Sequence, residues 1–133
     1  MKEAKLGSRS SKENYLKSIL QLEKKAGAVR SSDIADHMAV SRPSVSRAMT
    51  ELQKDGLIRM EEDKSILLTK KGRHRANLVL DKYMFLRGLL QSAGIQEPVK
   101  TQEACNMEHA ISDETFLALR DLLGTVIANC GLR

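Results

Sequence analysis

We expect a fold that is mostly α with a small β-wing, for three reasons. The first is a helix, a tight break and a second helix with a polar outer face, all within residues 30–54. The second is a pair of short apolar segments around an acidic turn, which is typical of a β-hairpin. The third is composition, because hydrophobic residues make up 41% of the chain and aromatic residues only 3%, which favours aliphatic helices. Together these features indicate a winged helix-turn-helix domain followed by a helical domain.

The first predicted helix begins at Ser10 or Ser11, either of which can cap it, and ends near Gly27. A second helix is expected after Ser31 or Ser32. The apolar stripe of the first helix has helical spacing and consists of Tyr15, Leu16, Ile19, Leu20 and Leu22.

The third predicted helix opens at Ser41, carries Pro43 in its first turn and stops at Gly56. Its inward face is expected to contain Val45, Ala48, Met49 and Leu52. On a helical wheel the opposite face contains Pro43, Ser46, Arg47, Thr50 and Lys54. A helix with a polar face of this kind fits the major groove of DNA.

Residues 57–60 and 66–68 are predicted strands, and residues 61–65 form the turn between them. A long helix capped by Thr69 should run to about Ser92, followed by a short helix over residues 101–110 and a last helix capped by Ser112. We expect a DNA-binding domain over residues 1–70. Residues 71–133 are expected to form a helical dimerisation domain, because the apolar faces of its long and last helices are too extensive for a small monomer to bury alone.

Charge is unevenly distributed along the chain. Residues 1–75 carry 17 basic and 10 acidic side chains, whereas residues 76–133 carry 5 and 7. A basic first part with an acidic second part suits a polyanion-binding module joined to an assembly module. No apolar segment approaches the roughly 20 residues that a membrane span requires. Two cysteines make no disulfide framework and the amino terminus does not resemble a signal peptide, so we expect a cytoplasmic protein.

We interpret the third helix as a DNA-recognition helix. Arg47 is the best candidate to contact a base, since a guanidinium can bond a guanine edge with two hydrogen bonds. Pro43 and Ser44 could contact base methyls or phosphates, whereas the candidates for contacts to the DNA backbone are Arg42, Ser46, Thr50, Lys54, Lys70 and Lys71. The expected partner is a double-stranded DNA operator, with no membrane and no small organic ligand implied. The alternative is a winged helix used only for protein contacts.

An enzyme is not expected, because the chain contains no glycine-rich phosphate loop and no catalytic set of nucleophile and base.

The tip of the predicted wing is acidic, since it consists of Glu61-Glu62-Asp63, and it would repel the phosphates of DNA. The wing is therefore expected to stay out of the minor groove.

The sequence resembles the metal-dependent repressors of the diphtheria toxin repressor and manganese transport regulator family over residues 10–127. The resemblance rests on six segments, which are Glu13-Asn14-Tyr15-Leu16, Ser32-Asp33-Ile34-Ala35, Val40-Ser41-Arg42-Pro43-Ser44-Val45-Ser46, Asp55-Gly56-Leu57-Ile58, Leu68-Thr69-Lys70-Lys71-Gly72 and, most specifically, Glu103-Ala104-Cys105-Asn106-Met107-Glu108-His109-Ala110-Ile111-Ser112. It implies a homodimeric repressor whose second domain binds transition-metal ions. From this resemblance we expect a regulator of the shorter manganese type, without the further carboxy-terminal barrel of some members.

The resemblance implies that Cys105, Glu108 and His109 are metal ligands, with Asn14 as a possible weak fourth. Their spacing of i, i+3 and i+4 places the three on one helix face. A thiolate with an imidazole suits Fe(II), Co(II) or Zn(II) better than Mn(II). Several other ligand positions of the family carry residues of a different kind, namely Asn14, Lys17, Tyr83, Arg87 and Thr101.

Two versions of the regulator therefore stay open. In one, Cys105, Glu108 and His109 bind a single divalent ion, which controls DNA binding. In the other no metal is needed, because the positive charge of Lys17 or Arg87 takes the place of the ion and pairs with Glu108.

Overall fold

The structure is a computed structural model that describes the backbone of residues 2–130 and the side chains of residues 11–124. Contacts between Cα atoms divide the chain into two compact units, Met1–Leu80 and Asp81–Arg133. The elements, in order, are α1 Lys2–Ala26, α2 Ser31–Met38, α3 Arg42–Lys54, β1 Ile58–Met60, β2 Ile66–Leu68, α4 Lys70–Ser92, α5 Val99–Ala110 and α6 Asp113–Cys130.

The first helix starts earlier than predicted. It begins at Lys2 rather than at Ser10 or Ser11. The preceding segment is rich in Lys, Glu, Ala and Leu, all strong helix formers, and this propensity outweighs the capping tendency of serine. The cap of α2 also differs, because Arg30 is the capping residue and its backbone N–H donates to the Asp33 carboxylate at 2.9 Å.

The core of the first unit lies where α1, α2, α3 and the two strands meet. Ile19, Ile34, Val45 and Leu52 have no exposed surface. The inward face predicted for α3 is confirmed, since Met49 is also buried and Ala48 packs against the same core. Each Å² of apolar surface removed from water stabilises the fold by about 25 cal/mol, so this buried cluster makes the main contribution to the stability of the unit.

The break between α2 and α3 is a tight turn. Ala39 has a left-handed φ of 55°, and the N–H of Val40 donates to the carbonyl of Ala35 at 3.1 Å. The Ser41 hydroxyl then accepts the N–H of Ser44 at 3.3 Å, and Pro43 occupies the first turn as predicted. The caps on both sides of the turn fix the direction in which α3 leaves it.

The wing is an antiparallel hairpin in which Ile58 pairs with Leu68 and Met60 with Ile66. At its tip the Asp63 carboxylate accepts both the hydroxyl and the N–H of Ser65, at 2.6 and 3.0 Å. The hydrogen bond from the Ser65 hydroxyl is the main reason why the pKa of Asp63 lies below its usual value. The guanidinium of Arg30 donates to the Asp63 carbonyl at 2.6 Å, so the tip is tied to the start of α2.

The first turn of α4 lies directly against the backbone of Leu57, in the loop between α3 and β1. A Cβ placed on Gly72 would be 1.8 Å from the carbonyl oxygen of Leu57. Around this contact, the Thr69 hydroxyl donates to the Gly56 carbonyl at 2.7 Å and accepts the N–H of Gly72 at 3.0 Å. Only a residue without a side chain allows this approach.

The second unit has a small interior of its own. Phe85 and Phe116 meet edge to face with ring centroids 5.7 Å apart, and Arg120 stacks 5.5 Å from the Phe116 ring. By contrast, Met84 is 61% exposed and Leu122 is 62% exposed. Among the described residues, none of the helices combines the length and apolar character that a membrane crossing requires.

Candidate nucleic-acid interface and metal site

The outer face of α3 is open to solvent along its length. The exposed members are Arg42, Pro43, Ser46, Arg47, Thr50 and Lys54, and Ser44 is half-buried. Thr50 donates its hydroxyl to the carbonyl of Ser46 at 3.0 Å, one turn earlier in the same helix. The buried residues of the opposite face hold this surface rigidly on the core of the first unit.

Arg47 lies beside a shallow groove between α1 and α3. The groove is lined by Ser11, Lys12, Tyr15, Ser44, Arg47, Ala48 and Glu51. Lys12 forms an ion pair with Asp55 at 3.0 Å and thereby joins α1 to the end of α3. Sequence reasoning did not single out Lys12. Its proximity to α3 depends on how the two helices pack and is not encoded in any local motif.

The basic residues at the start of α4 have different surroundings. Lys70 is exposed, whereas the ammonium of Lys71 donates to the carbonyl of Asp55 at 3.2 Å. Arg73 binds both carboxylate oxygens of Glu23, at 2.6 and 3.0 Å, and this hydrogen bonding raises its pKa. Arg75 pairs with the buried Glu13. Of this group, Lys70 is therefore the residue with the most accessible charge for a phosphate.

In the second unit, α5 brings three metal-binding side chains together. The donor atoms of Cys105, Glu108 and His109 all lie within 4.8 Å of one another. A Glu108 oxygen is 3.1 Å from His109 Nε2 and 3.8 Å from Cys105 Sγ. Glu108 is only 1% exposed and His109 only 6%.

This donor set fits a transition-metal ion. One turn of a helix provides a thiolate, a carboxylate and an imidazole, which are ligands of different hardness. Fe(II), Co(II) and Zn(II) all bind to such a mixed set. A carboxylate is seldom as deeply buried as Glu108 unless it is paired or bound to a cation. Within the described residues this is the one cluster of at least three such side chains.

The residues expected to substitute for ligands have separate roles. The guanidinium of Arg87 pairs with Glu97 at 2.7 Å and contacts the Thr101 hydroxyl at 3.4 Å. The sequence hypothesis paired Arg87 with Glu108, whereas in the structure the guanidinium of Arg87 pairs with Glu97. Asn14 and Lys17 belong to the first unit, where Lys17 is 7% exposed, and their proposed roles remain predictions.

Glu97 is a carboxylate whose pKa lies well below its usual value. The hydrogen bond from the Thr101 hydroxyl, and then the one from Arg87, lower its pKa from 4.5 to about 2. A carboxyl group whose pKa is lower in the folded than in the unfolded protein stabilises the fold at pH values above its unfolded-state pKa. This stabilisation is lost as the pH falls through the folded-state pKa.

We therefore expect the free energy of unfolding to decrease as the pH is lowered from about 5 to about 2, and protonation of Glu97 to account for part of this decrease. Glu97→Gln should be less stable than the wild type at pH 7, and the difference should shrink as the pH falls through that range. Urea unfolding at a series of pH values measures it. Glu103→Gln, which replaces an exposed carboxylate within α5 and leaves the hydrogen bonds of Glu97 in place, is the control.

Comparison with known proteins gives a consistent picture. Residues 9–66 match the family model "Iron dependent repressor, N-terminal DNA binding domain", and residues 69–129 match "Iron dependent repressor, metal binding and dimerisation domain". The diphtheria toxin repressor of Corynebacterium glutamicum is 32% identical over 115 residues, which are 86% of this chain and 50% of that protein. The transcriptional regulator MntR of Escherichia coli is 29% identical over 81% of this chain and 70% of its own length.

Solved structures agree with these matches. The structure of the manganese regulator SloR superposes with a TM-score of 0.75 and 30% identity, and the match covers 85% of this chain and 53% of SloR. The chain therefore spans about half the length of SloR and of the first diphtheria toxin repressors that it matches. The predicted fold class is confirmed by the helices and the two-stranded wing as well as by these neighbours.

Proposed function

This chain belongs to the iron-dependent repressor family, and from that premise we propose that it is a sequence-specific DNA-binding transcriptional repressor. It acts as a homodimer on a double-stranded operator and responds to one divalent transition metal per chain. The observation that carries the DNA-binding proposal is the exposed polar face of α3, with Arg47 near its middle, on a rigid winged-helix core.

On this face the residues divide into two groups by their reach and chemistry. Arg47 reads base edges, and Pro43 and Ser44 touch the groove at the front of the helix. The contacts that set position on the DNA backbone come from Arg42, Ser46, Thr50, Lys54, Lys70 and Lys71. Because Lys71 already donates to the Asp55 carbonyl, Lys70 is the stronger phosphate contact of the two.

The proposed homodimer is supported by the second unit. Among its described residues, large apolar side chains on three helices are exposed, and these are Met84, Val99, Met107, Leu117 and Leu122. A second copy that covers them would enlarge a core which is small for an independently stable domain. Two copies would then present two α3 helices to half-sites separated by roughly 34 Å or a multiple of it.

Metal binding is assigned to Cys105, Glu108 and His109, whose geometry fits a transition-metal ion. A bound ion would supply positive charge and a fixed coordination geometry at this cluster. The side chains provide a thiolate, a nearly buried carboxylate and an imidazole, and a thiolate favours Fe(II), Co(II) or Zn(II) over Mn(II). The metal-independent version, in which Lys17 replaces the ion, predicts that metal has no effect on DNA binding.

One titration distinguishes these versions. Fluorescence anisotropy with duplexes selected from a random library measures the Kd, first with a chelator and then with Fe(II), Mn(II), Co(II) or Zn(II). We expect at least one metal to strengthen binding roughly tenfold or more, the size of a typical coupling between two sites. Equal Kd values with and without metal would favour the metal-independent version, and no preference over random duplexes would favour a protein-contact module.

Cys105→Ser tests the ligand assignment in the same assay. The variant removes the thiolate while keeping a side chain of similar size, so its Kd for DNA in the presence of metal should rise to the value measured with chelator. Cys130→Ser replaces the other cysteine of the sequence and is the matched control. Retention of the full metal response by Cys105→Ser would contradict the assignment.

A further inference from the structure

Two cationic side chains of α4 hold opposite ends of α5. Arg87 acts at the first end, where its guanidinium pairs with Glu97 at 2.7 Å. The other Glu97 oxygen accepts the N–H of Thr101 at 3.0 Å, within the first turn of α5. The start of α5 is thereby tied to α4 through one carboxylate.

Lys82 acts at the second end. Its ammonium donates to the carbonyl of Ile111, which caps α5, at 3.2 Å, and pairs with Asp113, the first residue of α6, at 2.8 Å. Lys82 has no exposed surface. It lies on the same face of α4 as the buried residues Val79 and Leu86, so an aliphatic residue would fit the helix pattern there.

Burial of an ammonium group carries a desolvation cost that an ion pair offsets only in good geometry. A lysine at a core position therefore adds little stability compared with an aliphatic residue, and its specific effect is to fix the groups that it binds. Ile111 follows His109 by two positions, so an ammonium that fixes the Ile111 carbonyl also fixes the last turn of α5. That turn carries Glu108 and His109.

We infer that Lys82 is a positioning residue for the Cys105–Glu108–His109 cluster, with Arg87 as its counterpart at the other end of α5. The inference rests on the proposed function, namely that this cluster binds a transition metal. Both ends of α5 are held by charges that belong to the chain, so the three donors converge before any ion arrives. Loss of Lys82 should loosen the last turn and weaken metal binding, as loss of an orienting group around a metal site does.

Cobalt(II) provides the test, because a cysteine-bound Co(II) ion shows a thiolate charge-transfer band and d–d bands that depend on coordination geometry. Titration of the full chain with Co(II) gives the Kd and the spectrum. Lys82→Met keeps the volume and removes the charge. We expect it to remain helical by circular dichroism, to raise the Kd for Co(II) roughly tenfold or more and to change the d–d bands. Lys82→Arg should restore part of the affinity.

Arg120→Met is the matched control. It removes a positive charge from the same unit without touching either end of α5, and its Co(II) spectrum should be that of the wild type. If Lys82→Met does not fold, Asp113→Asn, which removes the other half of the ion pair at a partly exposed position, provides the same comparison.

A folded Lys82→Met variant with the Kd and spectrum of the wild type would overturn the positioning role alone. Absence of a thiolate band in the wild type would reject the metal site itself, and this inference with it. The two failures are thus distinguishable in one experiment.

Discussion

Arg47→Ala is expected to weaken binding to the selected duplex by roughly 5- to 150-fold, which corresponds to about 1–3 kcal/mol for the loss of a bidentate contact to a guanine edge. Arg47 is exposed on the outer face of α3, and the buried Val45 and Met49 fix the helix beneath it. Anisotropy with the selected duplex and with variants of each base pair measures the change. Specificity should relax at the base pair that Arg47 reads.

Arg59→Ala is the matched control for this experiment. Arg59 is an exposed arginine of the same unit, but it lies on the wing and pairs with Glu61 at 3.3 Å. Both variants lose one positive charge, so a purely electrostatic contribution would affect them similarly. If both variants lose the same small factor on selected and random duplexes, α3 does not read bases.

Lys54→Ala should behave differently from both. A contact to the DNA backbone carries no sequence information, so this variant should weaken binding to all duplexes about equally and reduce the salt dependence by roughly one counterion. Measurement of the Kd at several salt concentrations separates it from Arg47→Ala. This contrast tests the division of the α3 face into base-reading and positioning residues.

The helix-turn-helix and the wing could be predicted because their signals are local. Val45, Met49 and Leu52 follow the helical period, and the αL turn and serine cap lie within a few residues of one another. The ends of α1 and α2 were less predictable. Arg30 caps α2 through its backbone N–H, for which the side-chain type gives no signal, and the propensity of residues 2–6 extended α1.

The candidate site shows the same division between local and long-range information. Cys105, Glu108 and His109 could be predicted to converge because a single helix places i, i+3 and i+4 on one face. The pairing of Arg87 with Glu97 depends on the turn between α4 and α5, which no periodicity describes. Lys82 did leave a signal, since it interrupts the apolar stripe between Val79 and Leu86, and a charge at such a position indicates a buried ion pair. The domain limits of 1–70 and 71–133 and the individual DNA-contacting residues remain predictions.

Gly72→Ala is expected to destabilise the protein by roughly 3 kcal/mol, near the upper end of overpacking effects. The new Cβ would lie 1.8 Å from the carbonyl oxygen of Leu57, far inside van der Waals contact. The obstacle is backbone, which also accepts the N–H of Thr69 at 3.1 Å, so no side-chain rotation relieves it. The start of α4 would have to move away from the wing. Thermal unfolding should show a Tm lowered by more than roughly 10 °C.

Gly88→Ala on the same helix separates this clash from the helix propensity of alanine. Nothing lies within 4 Å of a Cβ at Gly88, so the substitution there should stabilise α4 by up to about 1 kcal/mol. Both variants replace glycine by alanine in α4, and only the contact with Leu57 differs. Opposite signs of the change in unfolding free energy would therefore show that the approach of α4 to Leu57 requires a glycine. A neutral or stabilising Gly72→Ala would instead show that the wing and α4 can separate at little cost.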